Sequence, residues 1–236
     1  MHNHSFITMK NNVFIGHLTL FSCLVIILFH SCAPAYIPNT INTPMLSNKG
    51  ELQVALNSGV SGFDPQVSFA ISDHVGIMAN ASFDNQTNDS TDNFHRHAFM
   101  EAGAGYYTHL GNSGRFEVYG GMGLGNTQGQ YNGIWWVSNA NARLMRFFIQ
   151  PGIGFSTPYA DGGIATRMVA VNLHQDEYTS TGLFFEPVLS ARLGYKYVKL
   201  FIQGGLSFPL NSDQVEFEYQ PLIFSVGLHI NLFRDY

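Results

Sequence analysis

The stretch Leu183–Phe208, LFFEPVLSARLGYKYVKLFIQGGLSF, reads as two long strands joined by a tight turn at Lys196-Tyr197. On the first strand Phe185, Pro187, Leu189, Ala191, Leu193 and Tyr195 share one face, and Glu186, Val188, Ser190, Arg192 and Gly194 share the other. On the second, Val198, Leu200, Ile202, Gly204, Leu206 and Phe208 continue the apolar face. Tyr197, Lys199, Phe201, Gln203, Gly205 and Ser207 continue the mixed one. A period of two means a strand between two different environments. A two-residue loop pairs Tyr195 with Val198, which keeps both apolar faces on one side.

The rest of the chain repeats this pattern. Ten strands are expected between Glu51 and Tyr236, alternating down their length. Turns are expected at Gly62–Pro65, Asp73-His74, Gly111–Gly114 and Asp161–Gly163. Long polar loops are expected at Asn85–His95, Thr127–Asn141 (with Trp135-Trp136), His174–Gly182 and Pro209–Gln220. After the first strand, short and long connections alternate. That asymmetry fits an antiparallel up-and-down transmembrane β-barrel with short periplasmic turns and longer outer loops.

Composition separates the two objects that alternation allows. A soluble barrel puts its apolar face inside and needs a charged exterior, whereas a membrane barrel inverts this. Charged residues are only 11% of the 236, against about 25% in a soluble domain. The second face is Gly, Ser, Gln and Asn with about one charge per strand, which suits a narrow packed lumen. Strands of ten to thirteen residues also reach the length a tilted span needs, about 9–11. The alternative is a lipid-tethered soluble barrel around an apolar ligand. A net charge of -5 argues against a nucleic-acid partner.

The amino-terminal region carries a second signal. Lys10-Asn11-Asn12 precedes the apolar run Val13–Phe29 and then His30-Ser31-Cys32. A basic start, an apolar run and a small residue before the cut make residues 1–31 a secretory leader, with Met9 a more typical start than Met1. Leu28–Cys32 resembles the lipobox of bacterial lipoproteins, although Phe29 and His30 depart from it. The resemblance implies cleavage before Cys32 and lipid attachment there. Cys23 and Cys32 are the two cysteines, and Cys23 lies in the leader, so a mature Cys32 has no partner. Residues 32–50, rich in Pro, Asn, Ser and Thr, read as a tether or plug segment. The last strand, Leu222–Phe233, with the terminal Tyr236, resembles the closing strand of small outer-membrane β-barrel proteins of Gram-negative bacteria. That resemblance covers Glu51–Tyr236 and implies an outer-membrane location, lipid as surrounding partner and a monomer. An even strand number puts both barrel ends in the periplasm, where a Cys32 lipid would also sit.

The chemistry-bearing residues are sparse. Glu101, Glu117, Arg146, Arg167, Glu186, Arg192 and Lys199 fall on the mixed face and form a candidate lumen network. Charges there are costly unless paired. Acidic residues mark the loops: Asp84, Asp89 and Asp92; Asp176 and Glu177; Asp213, Glu216 and Glu218. His95 and His97 share a strand face, but with no third Cys or His nearby no metal site is expected. Ser225 and His229, four residues apart on one strand, stand roughly 13 Å apart by strand rise, too far for proton transfer. Gly120–Gly125 lies inside a strand with no helix after it, unlike a phosphate loop. No enzyme and no cofactor are expected. The reading is an envelope barrel acting structurally or through its outward loops, with a ligand-binding or transport barrel as the alternative.

Overall fold

A computed structural model describes residues 34–88, 92–132, 137–175 and 178–235. The leader, Cys32, Asp89, Trp135-Trp136, Asp176, Glu177 and Tyr236 lie outside them. The described residues form β1 (Leu52–Gly59), β2 (Gly62–Ala70), β3 (Val75–Asn88), β4 (Asn93–Leu110), β5 (Gly114–Asn132) and β6 (Val137–Ser156). They continue with β7 (Ala160–Gln175), β8 (Tyr178–Tyr195), β9 (Val198–Leu206), the two-residue β10 (Phe208–Pro209) and β11 (Leu222–Leu232). Neighbours in sequence pair antiparallel from β1 to β9, β11 pairs with both β9 and β1, and the sheet closes. The result is a ten-stranded antiparallel barrel, with β10 an added strand on the edge of β8.

The quoted hairpin has the expected register, Tyr195 opposite Val198 and Arg192 opposite Phe201. Its two faces take opposite environments. Leu189 is 63% exposed and Leu200 69%, whereas Glu186, Lys199 and Gln203 are at 0%. The same inversion runs round the barrel, with Phe69, Ile77, Met100, Met122, Ile149, Met168 and Val226 exposed. The interior is mixed, with buried charged and amide side chains beside apolar clusters such as Met78, Tyr119, Phe148 and Val169, and residues 34–50 fill it where the soluble alternative requires an open apolar cavity.

Three of the expected long loops are mostly strand. β3 and β4 continue pairing out to Asn88 opposite Asn93, β5 and β6 to Asn132 opposite Val137, and β7 and β8 to Gln175 opposite Tyr178. The apolar alternation stops earlier, because the outward positions become Asn85, Arg96, Asn126, Gln128, Asn141, Arg143 and His174. Pairing outlasts the hydrophobic pattern because each backbone group still needs a partner. This end is the hairpin end, and the opposite one is the turn end.

Two expected turns are also strand. The first true turn is Val60-Ser61, after which Gly62, at φ 86, opens β2. Pro65 then sits inside β2, and the β2–β3 ladder skips from Phe63–Phe83 to Gln66–Asn80, as expected where an N–H is missing. The second true turn is residues 157–159, and Asp161-Gly162-Gly163 belongs to β7. Asp161 is drawn inward by the cations described below.

Residues 34–50 are not an external tether. They thread the lumen from the hairpin end to the turn end. Ala35 N–H donates to Glu218 O, and Tyr36 forms a bridge with Tyr219. At the other end Lys49 N–H donates to Asp73 and Gly50 N–H to Ala70 O. β1 starts and β11 ends at the turn end, but Pro34 is held at the hairpin end. The two barrel ends thus share a side, as an even strand number requires, whereas the segment ahead of β1 starts from the other side, because its backbone groups find partners along the lumen wall.

Candidate functional site: the plugged lumen

The plug is held by side chains that reach in from the strands. Asp64 accepts from Thr40 N–H at 2.7 Å, and Gln203 accepts from Ile41 N–H at 2.8 Å while donating to Ile41 O at 2.9 Å. Asn42 donates to Asn80 and Ser68, and Gln150 donates to Asn42 O. Gln66 donates to Thr40 O. The inward Gln, Asn and Ser side chains of the mixed face thus supply the pairing that a neighbouring strand would supply in a sheet.

Met45 bends the plug, with φ at 49, a conformation that costs a non-glycine residue about 1–3 kcal/mol unless its surroundings fix it. Glu117 accepts its N–H at 2.7 Å and Arg234 donates to its carbonyl at 2.7 Å. Its thioether lies against Gly154 and Gly163, where a Cβ on either glycine would overlap the Met45 methyl group.

All seven of the expected network residues are buried, and the structure divides them. Towards the hairpin end, Arg146 binds Glu101, with Nε at 3.0 Å from Oε2, and lies 3.8 Å over the Phe99 ring. Arg167 binds Glu186 at 2.7 Å and reaches Glu101 at 3.7 Å. The plug completes this cluster: Asn39 Oδ1 accepts from Arg146 and Arg167, and Tyr36 donates to Glu186 at 2.7 Å. Above it, Tyr36, Phe184, Phe217 and Tyr219 form an aromatic cap, with Tyr36 and Phe184 rings 4.9 Å apart. Towards the turn end, Lys199 binds Asp161 at 2.7 Å, with Arg192 and Arg234 at 3.8 and 3.7 Å. Arg234 also binds Glu51 at 2.6 Å, and Arg192 donates to Thr43 O. Glu117 serves the plug instead, through Met45.

Sequence reading missed Asp161, Glu51, Asp64 and Arg234. Asp161 was hidden by the turn-like Asp-Gly-Gly, and Glu51 and Arg234 by lying just outside their strands. Phe233, at φ 62, swings the chain so that Arg234 enters the lumen. In comparisons with known proteins, no family model and no curated protein matches the chain.

Two other expected candidates end in different places. Ser225 and His229 are both buried in the lumen, His229 with its ring 5.2 Å from that of Phe201. His95 and His97 stand on the inner face of β4 at the hairpin end, beyond the last exposed apolar positions of β3 and β4. Burial, then the neighbouring His97, pushes the His95 imidazole down to about 4, and burial also lowers that of His97.

Proposed function

We propose that this chain is a monomeric outer-membrane β-barrel of the Gram-negative envelope, with a filled lumen and a structural or interaction role carried by its outward hairpins. The carrying observation is the exposed apolar belt around a closed barrel whose charges are inside. Strands can cross lipid only where every backbone group is paired, which closure provides. On β6 the outward positions Met145, Phe147, Ile149, Pro151, Ile153 and Phe155 are uninterrupted by a charge. Ten rises of about 3.3 Å give about 33 Å along the strand, or about 25 Å of height at a tilt of about 40°. That is the height of the apolar band of a membrane barrel. Tyr106, Tyr159, Tyr195 and Tyr197, exposed at the turn end, suit an interfacial girdle. A belt of this extent on a water-exposed barrel would be an aggregation surface. The threaded plug speaks against free diffusion through the lumen, so the transport alternative requires the plug to move.

Two measurements test the reading. The protein should stay in the membrane fraction after Cys32→Ala and show a gel shift between unboiled and boiled SDS samples. Release as a soluble protein would overturn it. Ile149→Arg, halfway up the belt, should cost about 2–4 kcal/mol in a bilayer. In water the same surface change stays within about 0.5 kcal/mol. A urea titration of the barrel refolded in lipid vesicles separates the two values.

A further inference from the structure

The β3–β4 hairpin places Asp84 opposite His97 and Gln86 opposite His95. Asp84, His95 and His97 therefore share the inner face of one ladder at the rim of the lumen. One ligand atom from each lies within 4.8 Å of the others. His95 Nε2 and His97 Nδ1 face each other at 3.0 Å. Two imidazole nitrogens on a tetrahedral zinc ion, at about 2.0–2.1 Å each, stand about 3.3 Å apart. The observed pair has to open by about 0.3 Å, and the third ligand atom to close from within 4.8 Å, to admit an ion.

The surroundings are those of a metal site. The other ring nitrogen of His97 lies 2.9 Å from Ser82 Oγ, the kind of outer partner that fixes the tautomer of a ligating histidine. A hydrogen-bonded histidine pair accounts for the 3.0 Å contact but not for the carboxylate set directly across the ladder.

We propose that Asp84, His95 and His97 form a site for a divalent transition-metal ion of the zinc class. Two nitrogens and one oxygen suit zinc and its neighbours, whereas calcium and magnesium take oxygen ligands. Three protein ligands leave a fourth position for water or an outside group. An ion there clips β3 to β4 at the mouth of the lumen, beside the point where the plug enters. The proposal does not depend on what surrounds the belt.

Zinc chloride titrated into the chelator-stripped full chain in detergent, against a chromophoric chelator, tests it. Wild type should bind one more equivalent than His95→Gln/His97→Gln, and Asp84→Asn should weaken that equivalent at least about tenfold. Folding of each variant is read from its unboiled gel mobility. The single variant His95→Gln, at the rim, stands in should the double variant not fold. Equal stoichiometry in wild type and the folded variant would overturn the site and leave a bare histidine pair.

Discussion

Arg167→Met is expected to destabilise the barrel by about 3–5 kcal/mol, the cost of breaking a buried ion pair by removing one partner. Arg167 is fully buried and joins Glu186 at 2.7 Å, Glu101 at 3.7 Å and the plug residue Asn39 at 3.0 Å. Methionine fills similar space but leaves Glu186 with no cation in its ion pair and Glu101 with Arg146 alone. The loss belongs to the stranded charge rather than to the arginine, so Arg167→Met/Glu186→Gln should recover part of it. Urea midpoints of the folded gel band read both variants. A single variant that melts with wild type would show that water, not Arg167, balances the carboxylates.

Removal of residues 34–46 is expected to turn a silent protein into a conducting one. Wild type should give no steady unitary currents in a planar bilayer, and the shortened chain should give them. The segment occupies the lumen axis, and what lines the tube without it is the polar set Asp64, Gln66, Asn80, Gln150 and Gln203, all buried in the intact barrel. Conduction by wild type equal to that of the shortened chain would refute the plug. Should the shortened chain fail to fold, Thr43→Cys/Ser190→Cys gives an independent reading. These hydroxyls lie 3.4 Å apart, so the thiols should join when a mild oxidant such as oxidised glutathione is added to take the two electrons. Trypsin cleavage at the exposed Lys49 would then release the amino-terminal fragment only after reduction. Release without reduction would place residue 43 away from the wall.

The barrel was legible because its signal is local and redundant. Alternation in Leu183–Phe208 set which side chains share a face, and the two-residue turn set the register. The scarcity of Lys and Glu pointed to an inverted barrel. What could not be read depends on partners far apart in the chain. Asp161 reads as a turn residue until Lys199, Arg192 and Arg234 surround it. The polar arms of β3–β8 have no apolar period to mark them, because only pairing holds them. Asp84 looks like one more loop acid until the β3–β4 register sets it opposite His97. Residues 34–50 carry no periodicity at all, since they bind one by one to the walls of nine different strands.

A segment running through a closed ring also constrains history. The edges that seal the ring are the first and last full strands, β1 and β11, joined from Leu52–Leu232 to Gly59–Ser225. Residues 34–50 precede both in the chain, yet they end up encircled. One order of assembly needs nothing bulky to pass through the opening: the seam zips around a segment already lying across the sheet, rather than the segment being fed through a finished hoop. A compact domain fused ahead of residue 34 should therefore leave the refolding rate unchanged, because nothing that bulky has to pass through the opening. A severe slowing would mean that the hoop forms first.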